Sequence, residues 1–303
     1  MTDLVLLGDP VEHSLSPAIY AKAFELWPEG DRPSYAAWRV APARLKATVE
    51  DIRAHAGILG GNVTVPHKEA ILPLLDEVDD RARQLGAVNC FVRRNGKLVG
   101  TNTDGVGLYR ALPGSELLSG RWRSQRAVVL GAGGAARAAA FVLALQLKQS
   151  VTILNRTRDR ADALAEAIRK AGGKATSGPL DIASVLRGLG SEGILVNATS
   201  VGLGDPKAAP VDLRLAPMIG APLTASHRVV DLVYEPLETA LLAAARKAGA
   251  VCVDGLAVLA EQAVASLHEW FGEKYGWISP KRLREVAIEA QKRRGLAKPG
   301  APA

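Results

Sequence analysis

Two neighbouring side chains able to carry a proton, His67 and Lys68, follow a short alternating run in GNVTVPHKEA, residues 61 to 70. Asn62-Val63-Thr64-Val65 reads as a strand that Pro66 ends. Strand side chains alternate, so Asn62 and Thr64 share one face while Val63 and Val65 bury the other. Carried past Pro66, the alternation turns Lys68 toward the polar face and His67 toward the apolar one. Histidine titrates nearest neutrality, which makes it the tempting proton carrier. Parity favours Lys68. A third ionisable group, Asp104, precedes Gly105, a place where a carboxylate commonly caps a helix or shapes a turn.

A second stretch points to phosphate rather than to protons. GAGGAARA, residues 131 to 138, follows the strand-like RAVVL and opens a long apolar helix. Strand, turn and helix are thus in the order that dinucleotide binding needs. Gly131 permits the tight turn, Gly133 lets backbone N–H groups approach a pyrophosphate, and Ala136 keeps the helix close to the sheet. The next strand ends at Asn155, where an NAD enzyme usually carries an acid for the ribose 2′-hydroxyl. Here Asn155-Arg156-Thr157-Arg158-Asp159-Arg160 offers cations and a hydroxyl instead. Cations at a helix N-terminus oppose the macrodipole unless an anion binds there. The pattern favours NADP.

The elements that must position these groups alternate along the chain. Strands are expected at 4–8, 34–40, 62–65, at both sides of the Asn95-Gly96 turn within 87–104, and then at 126–131, 151–155, 194–200, 228–234 and 250–254. Helices are expected at 16–27, with Ser16 as cap and Pro17 first, and at 43–54, 134–147, 159–172 and 237–249. Such alternation implies an α/β fold with βαβ units and a parallel sheet. A Pro/Gly/Ser-rich break at 111–125 divides the chain. Past Gly272, Ser279-Pro280 starts another helix, with Leu283, Val286, Ala287 and Ala290 as its apolar stripe, expected to pack on the surface.

Bulk properties exclude several classes. A length of 303 residues suggests two domains, and 48% hydrophobic with 23% charged residues is ordinary for a soluble globular protein. The formal charge of +7 is concentrated at 280–295, where six basic and two acidic residues leave +4. No stacking platform accompanies it, so nucleic acid is not the expected partner. Cys90 and Cys252 are the only cysteines and have no metal spacing. Neither a signal sequence nor a membrane span is legible, which gives a cytoplasmic expectation. His13, His55, His227 and His268 are expected to be structural or solvated.

Nine blocks together resemble the shikimate dehydrogenase family, in that family's order. They are HSLSP (13–17), GNVTVPHKEA, GAVNC (86–90), NTDG (102–105), GAGGAARA, NRT (155–157), NATSVG (197–202), DLVYEPLET (231–239) and DGLAVLAEQA (254–263). The resemblance runs from about residue 4 to 272. It implies two domains: a mixed α/β substrate-binding domain from 1–107 plus 256–294, and an NADP-binding Rossmann domain from 108–255 with a parallel sheet. Residues 295–303 are expected to be a disordered tail. The implied activity is reversible reduction of 3-dehydroshikimate to shikimate, on the route to aromatic amino acids. The implied partners are that small substrate and NADP, with no metal, nucleic acid or membrane, in a monomer or homodimer.

Residue by residue, the resemblance makes Lys68 and Asp104 the catalytic pair. Ser14 and Ser16 match hydroxyls that hold the substrate carboxylate; Asn62, Thr64, Asn89 and Gln262 match ligands of the ring hydroxyls, and Tyr234 a substrate-contacting tyrosine. Gly131, Ala132, Gly133, Gly134, Ala135, Asn155, Arg156, Thr157, Arg160, Thr199, Ser200 and Gly255 match the cofactor contacts. Hydride delivery to a ketone leaves an alkoxide, which a positioned ammonium stabilises and protonates. In reverse, Lys68 must arrive neutral, so oxidation is expected to quicken toward alkaline pH. Four features depart from the family pattern: Cys90 for Thr, Val258 and Leu203 for Met, and the chain beyond Gly272. Some quinate-using relatives carry Thr at the position of Ser16 and an acid at that of Asn155, and this chain has neither. A non-catalytic sensor of the same fold would lack the Lys68/Asp104 pair.

Overall fold

The structure is a computed structural model that describes residues 3–27, 30–112, 126–212, 223–272 and 278–296. It divides into two compact units, one of residues 1–107 with 259–303, the other of residues 108–258.

The first unit carries a six-stranded mixed sheet. In chain order its elements are β1 (Asp3–Gly8), α1 (Ser16–Glu25), β2 (Ser34–Arg39), α2 (Leu45–Ala54), β3 (Ile58–Val63), β4 (Glu77–Val78), α3 (Asp80–Leu85), β5 (Cys90–Arg94) and β6 (Lys97–Thr101). The strands lie in the order β2-β1-β3-β5-β6-β4. β1 runs parallel to β2 and β3, whereas β3–β5 and β5–β6 are antiparallel. The hairpin forms because Asn95 and Gly96 both adopt positive φ, 51° and 79°. Val5, Leu7, Ile52, Ile58, Phe91 and Leu98 fill its core.

Gly61 lets β3 lie against β1. A Cβ there would overlap the carbonyl oxygen of Val5, which is backbone and has no rotamer to escape into. Gly61→Ala is expected to cost about 2–3 kcal/mol in urea unfolding, the scale of an overpacked core. A loss under about 0.5 kcal/mol would show that the two strands separate readily.

The second unit begins within α4 (Asp104–Ala111) and continues through β7 (Arg126–Leu130), α5 (Gly134–Phe141), β8 (Ser150–Leu154), α6 (Arg158–Lys170), β9 (Lys174–Gly178), α7 (Ile182–Leu189), β10 (Gly193–Asn197), β11 (Arg228–Asp231), α8 (Ala240–Lys247) and β12 (Val251–Val253). Its sheet is parallel throughout, in the order β12-β11-β10-β7-β8-β9. That is the doubly wound arrangement, and the strand order reverses between β7 and β10, where ligands bind such sheets. α5 continues as a π-helical turn over Val142–Gln146.

Two helices finish the chain. α9 (Gly255–Phe271) begins in the second unit and ends in the first, and α10 (Pro280–Leu296) belongs to the first. Ser279 caps α10 by accepting from Arg282 N at 3.2 Å. Leu283, Val286 and Ala287 are buried and α10 packs on α1. Of the expected tail 295–303, Gly295 and Leu296 complete α10, and residues 297–303 lie outside the described residues.

Three local expectations need correction. α1 is entered through Leu15, and Ser16 is its first helical residue rather than its cap. β3 ends at Val63, and Val65 is 66% exposed instead of buried, because the chain turns out of the sheet before Pro66. The stretch 174–189, unassigned from sequence, holds β9 and α7.

Aromatic residues are few, 5% of the chain, yet Tyr20, Phe24, Trp27, Tyr35, Trp270 and Phe271 form one cluster with ring centroids 4.4–6.3 Å apart. The Trp270 indole also donates to Phe91 O at 3.1 Å. The cluster joins α1, β2 and α9, and β3 through the Tyr35 hydroxyl, which donates to Asn62 Oδ1 at 2.9 Å. These elements carry the polar residues described next.

Candidate active site

In the first unit, Lys68 Nζ lies 2.6 Å from Asp104 Oδ2. Both side chains are largely covered, 15% and 21% exposed. Asp104 stands in the first turn of α4, where the helix dipole favours a carboxylate. Its amide donates to Asn102 Oδ1 at 3.1 Å, and Asn102 in turn donates to Ala87 O at 2.9 Å. The second carboxylate oxygen accepts from Asn89 Nδ2 at 2.6 Å. One oxygen thus faces an amide and the other an ammonium, which fixes the plane of the carboxylate. The carbonyl of Lys68 accepts from Val88 N at 2.8 Å, tying the lysine's turn to the segment that carries Asn89.

His67 points elsewhere. Its ring is 1% exposed and Nε2–H donates to Val40 O at 2.6 Å, so it braces the turn against the end of β2. His55 and His227 also hold backbone, through Gly57 N and Thr224 N respectively.

The other polar residues form a connected network. Asn89 Oδ1 accepts from Thr103 N at 2.6 Å. Gln262 Nε2, on α9, donates to Thr103 Oγ1 at 3.0 Å and to Ser266 Oγ at 2.8 Å. Asn62 Nδ2 donates to Ser266 Oγ at 3.0 Å and to Asn89 O at 3.2 Å. With Tyr35 on its oxygen, the Asn62 amide is engaged at both ends, and the residue is only 6% exposed. Asn62 therefore acts here as a post that aligns β3, α9 and the Asn89 segment. Sequence reasoning missed Tyr35, Thr103 and Ser266. Ser266 lies one helical turn after Gln262, which is the only local sign it gives.

Burial pushes the Tyr35 and Tyr20 phenols and the Cys90 thiol above their ordinary ranges. Cys90, free and buried, stays an inert thiol. Ser14 and Ser16 lie at the entry to α1. Ser14 Oγ accepts from Ser16 N at 3.2 Å, which leaves its hydroxyl proton to donate outward. Thr64 is half-buried in the turn after β3, with its amide on Leu7 O at 2.8 Å.

In the second unit, Gly131 follows β7 with φ +106°, and a Cβ there would lie 3.0 Å from Ala198 O. Only glycine suits both demands. A Cβ on Gly133 would meet nothing within 4 Å, so open space lies above the turn. Gly133 precedes α5 and no side chain caps that helix, so its first N–H groups face this space. Ala132, Gly134 and Ala135 continue the turn into α5. These features fit a pyrophosphate. Asn155 donates to Thr157 O at 2.9 Å and shapes the turn into α6. Arg158 is committed to Asp162 at 2.9 Å, whereas Arg156 and Arg160 are exposed and form no ion pair among the described residues. Two uncommitted guanidiniums beside a threonine suit a 2′-phosphate.

NATSVG and DLVYEPLET are explained by one buried carboxylate. Asp231 accepts from Asn197 Nδ2 at 2.8 Å, Thr239 Oγ1 at 2.7 Å and Val233 N at 3.0 Å. Burial raises its carboxyl from the ordinary value, against these three bonds. Asn197 Oδ1 also takes Thr199 N at 3.0 Å, which sets the loop carrying Thr199 and the exposed Ser200. Tyr234 is half-buried after β11. Gly255 packs where a Cβ would lie 2.6 Å from Leu232 O.

The comparisons with known proteins agree with one another. A family model described as the shikimate dehydrogenase substrate binding domain matches residues 6–91. Another, described as shikimate / quinate 5-dehydrogenase, matches residues 115–201. The chain is 42% identical over 274 residues to the shikimate dehydrogenase (NADP(+)) of Symbiobacterium thermophilum, with 89% of each chain covered. The chain belongs to the shikimate dehydrogenase family. A solved shikimate 5-dehydrogenase of Thermus thermophilus, in complex with NADP(H) and shikimate, is 38% identical with a TM-score of 0.79. That match covers 96% of this chain and 100% of the other. A quinate dehydrogenase of Corynebacterium glutamicum, in complex with NAD, is 30% identical with a TM-score of 0.80, over 95% of this chain and 99% of that one.

These spans correct one expectation. Residues 273–303 make up a tenth of the chain, so a match covering 96% of it reaches past Gly272.

Proposed function

We propose that the chain catalyses the reversible NADP-dependent reduction of 3-dehydroshikimate to shikimate, on the route to chorismate and the aromatic amino acids. The observation that carries this reading is the Lys68 ammonium held 2.6 Å from Asp104, whose other oxygen is fixed by Asn89.

NADPH, when bound, supplies the hydride for the carbonyl carbon. Gly131 to Ala135 would hold its pyrophosphate, Arg156, Thr157 and Arg160 its 2′-phosphate with Asn155 shaping that turn, and Thr199, Ser200 and Gly255 the rest. Lys68 donates a proton to the carbonyl oxygen as charge develops there, completing the alcohol and leaving a neutral amine. Asp104 orients the ammonium. In the opposite direction the neutral amine takes the hydroxyl proton. Ser14 and Ser16 hold the carboxylate of the ring. Thr64, Asn89, Gln262 and Tyr234 meet its hydroxyls, with Asn62 aligning them. A ring lacking a hydroxyl would leave buried polar groups unpaired, which is how such a site discriminates.

Among the described residues no helix is long and apolar enough to cross a membrane and no metal cluster is present. The reading places the protein in the cytoplasm, as a monomer or homodimer, with its two cysteines free. Likeness to the quinate dehydrogenase makes quinate the rival substrate. Steady-state rates with shikimate and quinate, each with NADP+ and NAD+, decide between them. Shikimate with NADP+ is expected to lead by at least about tenfold in kcat/KM, a difference of about 1.4 kcal/mol. Preference for quinate with NAD+ would overturn the reading.

A further inference from the structure

Arg294 brings a cation to the turn carrying Ser14, whose earlier residues Asp9 and Glu12 already pair with Arg39. It lies in the last turns of α10, outside both spans matched by the family models and outside all nine sequence blocks. Its Nη1 donates to His13 O at 2.8 Å and its Nη2 to Ser14 O at 2.7 Å. A guanidinium bonded to two successive carbonyls fixes both peptide planes, because its donors form a rigid fork. Those carbonyls lie in HSLSP, and Ser14 Oγ in turn accepts from Ser16 N at 3.2 Å.

The placement is enforced by packing. Leu283 and Arg294 are three helical turns apart and so share one face of α10. Leu283, Val286 and Ala287 seat that face, and α10 rests on α1, the helix that opens at Ser16. Seating the stripe therefore delivers the guanidinium to the turn just ahead of α1. Both of its bonds go to neutral carbonyls, so its charge is carried into the turn, where the one neighbouring carboxylate, Glu12, pairs with Arg39 instead.

We infer that Arg294 is a positioning residue for the substrate carboxylate: it fixes the His13–Ser14 carbonyls and sets a positive charge behind the Ser14 and Ser16 hydroxyls. The inference rests on the proposed function, in which those hydroxyls hold the carboxylate. It concerns substrate capture and leaves the Lys68–Asp104 chemistry untouched.

Steady-state kinetics of the full chain test it, with Arg294→Ala, Arg294→Lys and Ser16→Ala beside the parent. Arg294→Ala is expected to raise KM for shikimate about tenfold, the worth of one charge-assisted contact, with kcat and KM for NADP+ within about twofold. Arg294→Lys, which keeps the charge but not the fork, is expected to raise KM about threefold. An unchanged KM in Arg294→Ala, with Ser16→Ala raised, overturns the inference and spares the carboxylate seat. An unchanged KM in Ser16→Ala sinks the seat itself, and the inference with it. A parallel fall in kcat and rise in KM for NADP+ in Arg294→Ala would mark a merely structural role and also overturn it. If Arg294→Ala unfolds at the assay temperature, Arg294→Lys decides alone, and an unchanged KM there overturns the inference.

Discussion

Lys68→Ala will lower turnover of shikimate oxidation by about 10²–10⁴, the usual worth of a positioned general acid–base, while KM for shikimate changes by less than about fivefold. The asymmetry follows from the geometry. Nζ is anchored by Asp104 at 2.6 Å, and the residues assigned to the carboxylate and ring hydroxyls lie elsewhere, in the α1 turn, β3, the Asn89 segment and α9. Removing the amine deletes a group needed when charge develops on the reacting oxygen and leaves the ring's seat in place. Asp104 keeps Asn89 on its other oxygen, so the carboxylate does not lose its orientation. Turnover within about threefold of the parent would remove Lys68 from the proton path. A matching rise in KM with kcat intact would recast it as a binding group.

The second large effect concerns the cofactor. The double replacement Arg156→Ala with Arg160→Ala is expected to lower kcat/KM for NADP+ by about 10²–10³ and to leave kcat/KM for NAD+ within about threefold. Each lost charge-assisted contact to phosphate is worth about 1.5–3 kcal/mol. Arg158 will not substitute for them, since Asp162 already holds it at 2.9 Å. The two arginines stand at the N-terminal end of α6, where a cation opposes the helix dipole, so their removal is expected to leave thermal stability unchanged or slightly raised. Equal losses with both cofactors would place the two arginines on the shared part of the dinucleotide, or on the fold.

What the sequence disclosed and what it hid divide by range along the chain. The GAGGAARA turn, the Asn95-Gly96 hairpin and every strand of the parallel sheet except β9 are legible because their signals are local, a glycine with a set φ or a run of β-branched residues. β9, with the sequence KATSG, is not, since an edge strand of small and polar residues resembles a loop. α7 escapes notice because it is short and contains Gly188. The proposed pair Lys68 and Asp104 stands in motifs of the family, and strand parity by itself separates Lys68 from the buried His67. Val65 breaks the same parity, because β3 ends at Val63 and the chain turns out of the sheet. Nothing local shows that Asn62 will meet Ser266, 204 residues further on, or that Arg294 will reach back 280 residues to Ser14. Such pairs are set by how helices and sheet pack, and one chain read from end to end carries no mark of them.

The discontinuity of the first unit has a consequence in time. Its sheet is encoded in residues 1–107, but α10 and most of α9 are encoded after residue 258. During synthesis the strands emerge first and wait while the whole parallel-sheet unit is made. That unit is continuous in the chain and can close on its own. Gln262, Ser266 and Arg294 follow that unit in the chain. Until they are made, the Asn62 amide lacks Ser266 and the His13–Ser14 carbonyls lack their guanidinium. A nascent chain can therefore hold the parallel-sheet unit while the network around Asn62 and the His13–Ser14 turn is still incomplete.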